Sequence, residues 1–214
     1  MEPKRFLSVF LLTASIGRAV IVDRVAVIVG NGIVKDSDIT EDLKVTAFLN
    51  KASLALTSAA RKKAANLLID QMLIRKELES GDYPFGSVIE AQTLLANLKQ
   101  RYADETSYKR ALASRRIDES DLKARLLWQL TVLRFIDARF RPAVLVTTEE
   151  VEKYYNEHKP QLEAANPGSL ATLDALRLKI EDLLSGERVN VLLEDWLSRK
   201  RQETRIVYLE DGLK

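Results

Sequence analysis

The sequence contains no cysteine and only one histidine, His158, among its 214 residues. Without cysteine the chain has no disulfide framework, no thiolate nucleophile and no cysteine-ligated metal. A lone histidine also argues against a histidine-rich metal site and against a histidine-based catalytic triad. Because the usual catalytic and ligating side chains are so scarce, no catalytic residue, metal or cofactor is expected.

Glycine and proline are also rare, with 8 and 5 residues, which argues against a loop-dominated or all-β design. Apolar residues make up 46% of the chain and charged residues 30%, as is typical of a soluble, helix-rich protein. The length is that of one or two domains and is sufficient to bury a sizeable core.

The first 19 residues have the layout of a secretory signal peptide. The basic start MEPKR precedes the 11-residue apolar run FLSVFLLTASI, and GRA supplies small residues around a cut after Ala19. This run is too short to span a membrane, which takes roughly 20 residues. A buried N-terminal helix and an uncleaved membrane anchor are the alternatives.

Cleavage after Ala19 would remove three basic residues and one acidic residue, leaving 30 of each sign. The basic character of the full chain therefore belongs largely to the signal and does not indicate nucleic-acid binding. An exported, neutral, cysteine-free protein fits a bacterial periplasm or cell surface.

The N-terminal part of the predicted mature chain is rich in β-branched residues and contains Asn31-Gly32. Asn-Gly is the usual centre of a type I′ turn, in which both central residues need positive φ. The pattern predicts a hairpin of residues 20–29 and 33–35. Ser37 or Asp38 then caps a helix.

Helical periodicity and capping signals continue along most of the remaining chain. Thr106 is expected to cap one short helix, and Thr147 with Glu150 forms the capping box of another. The predicted helices cover residues 37–49, 58–81, 87–103, 107–116, 117–142, 147–159 and 172–201.

A short strand signal, TRIVYL, ends the chain. Isolated strands at the two ends would not be stable, so residues 205–209 are expected to pair with the N-terminal hairpin. The predicted fold is mainly α, with a small β-sheet formed by the N-terminal hairpin and the C-terminal strand.

Several charged groups resemble sites but have simpler interpretations. Glu149, Glu150 and Glu152 are favoured at a helix N-terminus by the helix dipole. His158, beside two tyrosines, has no second ligand or carboxylate partner. The basic runs 61–63 and 199–202 have acidic neighbours and are interpreted as solvated helix faces. GNG lies in the predicted hairpin, so no nucleotide-binding loop is expected.

The segments VDRVAVIVGNGIVKDSDITEDL, LLIDQMLIRKELE, VTTEEVEKYYNEHK and LRLKIEDLL…LEDWLSRKRQETRIVYL resemble, in this order, the SurA-like family of exported folding chaperones. That family also includes PpiD- and PrsA-type proteins, and the resemblance covers roughly residues 20–210. In such proteins a parvulin-type prolyl isomerase domain usually lies between the YYNEH helix and the closing helix.

Only residues 161–172 occupy that interval here, whereas a domain needs at least about 50 residues. The organisation expected is therefore a signal peptide (1–19), an N-terminal helical chaperone region (20–160), a short link (161–172), and a closing helix and strand (173–214) that complete the same core. None of the family's isomerase residues has a counterpart.

The resemblance implies a periplasmic, ATP-independent chaperone that binds unfolded or nascent exported polypeptides, such as outer-membrane proteins, without nucleotide or nucleic acid. A prolyl isomerase and a non-chaperone assembly partner are the alternatives, and a homodimer formed by exchange of the closing helix is a further possibility. Candidate peptide-binding residues are the aromatics outside the main apolar stripes, Phe48, Phe85, Tyr102 and Trp128, although a core position is the favoured interpretation of each.

Overall fold

The computed structural model describes residues 23–165 and 172–213, so the predicted signal peptide and residues 166–171 of the predicted link lie outside the described residues. Its mainly helical fold with a small sheet confirms the predicted fold class. The strands are β1 (Val25–Val29), β2 (Gly32–Lys35) and β3 (Ile206–Tyr208). The α-helices are α1 (Asp36–Leu49), α2 (Ser58–Ser80), α3 (Val88–Lys99), α4 (Glu105–Arg115), α5 (Glu119–Phe140), α6 (Thr148–Ala165) and α7 (Leu173–Glu203).

The sheet has the strand order β2–β1–β3 and is antiparallel throughout. Val27 pairs with Val34 on one side and with Tyr208 on the other, which confirms that the last strand pairs with the N-terminal hairpin. The inner face of the sheet packs on α2, where Ala65 and Ile69 are fully buried. Both ends of the described chain therefore belong to one core.

The hairpin loop lies one residue earlier than predicted. Val29 pairs with Gly32, so the two loop residues are Gly30 and Asn31 rather than Asn31 and Gly32. Gly30 has a φ of 59°, whereas Asn31 is not in the positive-φ region. Positive φ at the first loop position alone is typical of a type II′ turn, which favours glycine there. The type I′ prediction is therefore wrong.

Several helix boundaries also differ from the prediction, among them the end of α3, which lies at Lys99 and not at residue 103. The N-cap of α4 is Asp104, whose Oδ1 accepts the Ser107 backbone N–H at 2.6 Å, and not Thr106. The helix α6 continues through Pro160 to Ala165, into the segment predicted as a link. Proline removes one helical hydrogen bond, but Leu162 beyond it packs against the small core between α6 and α7.

The long helix α7 buries opposite faces in its two halves. Leu176 and Ile180 pack against Val151 of α6, whereas Val189 and Trp196 pack against α2 and α5. Val189 lies nine residues after Ile180, which is about two and a half helical turns, so the two sets point in opposite directions. Thus α6 and the first half of α7 form a helical hairpin with its own small core.

Helices α3, α4 and α5 enclose a further cluster with the C-terminal half of α1. Next to it, a buried ion pair joins α1 to α5: Arg125 donates to the Asp42 carboxylate and, at 3.0 Å, to the Thr46 hydroxyl. The side chains of Asp42 and Arg125 are only 5% and 13% exposed. None of the described helices combines the length and hydropathy needed to cross a membrane.

Replacing Asp42 by alanine should lower the free energy of unfolding by about 3 kcal/mol, because Arg125 would keep a buried charge without a partner. The double change Asp42→Leu and Arg125→Met should restore most of this loss, since it removes both charges. Urea unfolding measures each value.

The control is Glu157→Gln, which removes the exposed ion pair with Lys153 and should cost less than about 0.5 kcal/mol. If Asp42→Ala behaved like this control, the pair would not hold α1 to α5.

Candidate functional site

An open cleft of about 520 Å³ lies between β2, α1, α2 and α5. Its apolar lining comes from Ile33, Leu68, Met72 and Trp128, and Ile33 is 47% exposed although it is large and apolar. The cleft has charged residues on its α1, α2 and α5 walls. It therefore combines an apolar floor with a charged rim, which is a usual composition for a binding site.

Each of the three helices lines the cleft with one stripe at the spacing i, i+3, i+4 and i+7, which places four side chains on one helical face. The stripes are Asp38, Glu41, Asp42 and Val45 on α1; Leu68, Gln71, Met72 and Arg75 on α2; and Asp121, Ala124, Arg125 and Trp128 on α5. The direction of α1 is fixed at its start, where Asp38 Oδ2 accepts the Lys35 backbone N–H at 2.8 Å.

At the α2 side of the cleft, the Arg75 guanidinium lies over the Trp128 ring, 3.9 Å from its centroid. Desolvation lowers the pKa of Arg75, yet the side chain stays charged at neutral pH because a guanidinium is a very strong base. Stacking a cation on indole is favourable. The pair forms a flat wall that is both aromatic and positively charged.

On the opposite side, Glu41 of α1 faces Asp121 of α5. Desolvation raises the pKa of Glu41, and the charge of Asp121 and a side-chain hydrogen bond with it raise it further. Asp38 acts in the same direction, whereas Lys44 opposes it. This end of the cleft is therefore negatively charged.

The structure does not bring the four candidate aromatic residues together. Trp128 lines the cleft. Phe48 is 1% exposed and lies in the core, where its ring stacks on Tyr102 with centroids 5.9 Å apart, so these two are structural. Phe85 is 60% exposed but lies before α3, beside the exposed Val88 and outside the cleft.

Two of the charged groups that resemble sites in the sequence, Glu150 and His158, have local partners in the structure. Glu150 completes the predicted capping box and also binds Arg188, and the backbone N–H of Thr147 and then Arg188 lower its pKa. The His158 Nδ1 atom lies 2.9 Å from the Tyr154 carbonyl oxygen, with the two rings stacked at 4.1 Å. Neither group lines the cleft.

The interpretation of the two basic runs as solvated faces is wrong for one arginine in each. Arg61 bridges Asp36 at the start of α1 and Glu210 near the C-terminus. Arg201 binds Asp70 of α2 at 2.7 Å. Both arginines tie the C-terminal part of the chain to the N-terminal elements, which local sequence cannot show.

No protein-family model and no curated protein is significantly similar to the chain. The cleft is therefore interpreted from its own geometry.

Replacing Glu41 by glutamine should raise the melting temperature at pH 7 by about 1 °C, a small effect because the side chain is exposed. A carboxyl whose folded pKa is raised destabilises the protein above that pKa, and this penalty disappears as the pH falls and the group becomes protonated. The difference between the two proteins should therefore shrink as the pH falls through the raised pKa of Glu41, and it should be lost below the ordinary glutamate pKa of about 4.3.

Thermal unfolding from pH 3.5 to 7.5 measures this effect, with Glu194→Gln on the exposed face of α7 as the control. A melting temperature of Glu41→Gln below that of the unchanged protein at pH 7 would contradict the carboxyl contact between α1 and α5.

Proposed function

We propose that the protein is an ATP-independent chaperone of the periplasm that binds unfolded exported polypeptides, such as outer-membrane proteins, without isomerase activity. The observation that carries this proposal is the open cleft with an apolar floor and charged rims. Its volume of about 520 Å³ suits a few side chains of an extended segment rather than a folded partner.

The chemistry of the cleft favours loose selection among many segments. Met72 is flexible and polarizable, so it adapts to side chains of different shape. Ile33 at the edge of the sheet and Trp128 on α5 add apolar surface on two sides of it. Adaptable apolar surfaces with charged rims are typical of proteins that bind many partners.

The junction of α6 and α7 supports a chaperone without a catalytic insert. In the family that the sequence resembles, the isomerase domain lies between the counterparts of these helices. Here Val151 of α6 packs directly against Leu176 and Ile180 of α7. The two helices therefore form one packed unit, with only residues 166–172 between them.

The test is suppression of aggregation. The purified protein should slow the light scattering of a urea-denatured outer-membrane protein when it is diluted at a near-stoichiometric ratio. Ile33→Glu and Trp128→Ala should each reduce the protection several-fold, because the first places a charge in the apolar lining of the cleft and the second removes a ring from that lining.

The matched control is Phe85→Ser, which removes an exposed aromatic ring outside the cleft and should keep most of the protection. Circular dichroism establishes that each variant is folded. Absence of protection by the unchanged protein against several denatured outer-membrane proteins would refute the function. If protection against aggregation were lost with Phe85→Ser but kept with the two cleft variants, binding would occur near the start of α3 instead of in the cleft.

A further inference from the structure

We propose that the cleft selects segments in which a lysine or arginine lies within about three residues of an apolar side chain. This inference rests on the proposed function, because it names the class of polypeptide that the same cleft binds. Its basis is the distribution of charge along the cleft, together with the apolar residues that line it.

The charges that line the cleft do not cancel. Four carboxylates and two guanidinium groups are present, and Asp42 and Arg125 neutralise each other in the buried ion pair. Three carboxylates then face the one remaining cation, Arg75. The cleft is thus acidic, although the full chain has a formal net charge of +2.

The charge is also ordered along α5. Asp121 marks the acidic end, Arg125 one turn later is neutralised, and Trp128 carries the Arg75 guanidinium at the far end. Asp121 and Trp128 are seven residues apart, which corresponds to about 10 Å along a helix. An extended segment covers that distance in about three residues.

A cation at the acidic end would meet carboxylates from two elements, Glu41 of α1 and Asp121 of α5. Both carboxylates line the cleft, and in addition to desolvation the charge of Asp121 and a side-chain hydrogen bond with it raise the pKa of Glu41. An ammonium or guanidinium group between them would replace repulsion by attraction and would have several N–H donors for their oxygens. Asp38 adds to the field, and Lys44 weakens it without removing it.

The neighbouring residues of the segment would then lie over the apolar floor. Ile33, Leu68 and Met72 offer aliphatic surface in the same cleft. A segment with glutamate in place of lysine would bring its carboxylate against Glu41 and Asp121. Its apolar side chains would gain the same contacts, so the two segments differ only in the electrostatic contribution.

The experiment uses three fluorescein-labelled peptides that differ at one position, Gly-Ser-Lys-Phe-Leu-Val-Ser-Gly and its Gln and Glu counterparts. Fluorescence anisotropy with the purified protein at low salt should give about tenfold tighter binding of the Lys peptide than of the Glu peptide, with the Gln peptide between them. The difference should shrink in 0.5 M salt because of screening.

Glu41→Lys should abolish or invert the order of affinities. Glu41→Gln should reduce the difference in Kd between the Lys and Glu peptides, so the result does not depend on one variant. Glu194→Lys changes the net charge equally on the exposed face of α7 and should leave the order unchanged. Equal Kd values for the three peptides, or the same order in Glu41→Lys, would overturn the inference.

The outcomes also separate this inference from the chaperone function. Suppression of aggregation without a preference for the Lys peptide, or without binding of any peptide, overturns the charge selection and leaves the chaperone function standing. Absence of both peptide binding and suppression overturns both.

Discussion

The pairing of β3 with β1 is the contact on which the rest of the structure depends. A two-stranded hairpin alone is marginally stable, and β3 makes β1 a central strand with partners on both sides. Backbone hydrogen bonds also fix the residues on either side of β3. The Gly30 N–H donates to the Arg205 carbonyl at 2.8 Å, and the Leu209 N–H donates to the Ala26 carbonyl at 2.9 Å. Leu213 beyond the strand is 1% exposed and belongs to the same core. Because β2 forms one wall of the cleft, the pairing of β3 with β1 also stabilises this wall.

The helix α7, which precedes β3, has two halves that pack in clusters of different size. The second half of α7 lies in an aromatic cluster in which Trp196 contacts Phe135 and Phe140. Its first half and α6 share a core with only three buried residues, Val151, Leu176 and Ile180. Regions with few buried apolar contacts open at a lower free-energy cost, so the hairpin of α6 and α7 should open more easily than the second half of α7, which packs in a larger cluster. No residue of this hairpin lines the cleft.

Local patterns predicted most of the fold because each element has its own signal. Periodicity and caps located the helices, and the need to pair isolated strands located β3. Errors arose where two local solutions compete: Gly30 offers a better first turn residue than Asn31, and packing of Leu162 extends α6 through Pro160. The cleft was harder to predict. The stripes on α1, α2 and α5 are visible as spacings, but Glu41 and Asp121 are 80 residues apart, and only the tertiary fold makes them neighbours.

Of the four candidate aromatics outside the main apolar stripes, Trp128 alone lines the cleft. Large rings outside an apolar stripe are often buried by a second layer, as the stacking of Phe48 on Tyr102 shows. Trp128 is half-buried: it packs against the cluster of α2, α5 and α7, and the Arg75 guanidinium lies over its ring. The whole cleft is built from β2, α1, α2 and α5. A domain inserted between α6 and α7 would therefore leave the residues that line the cleft unchanged.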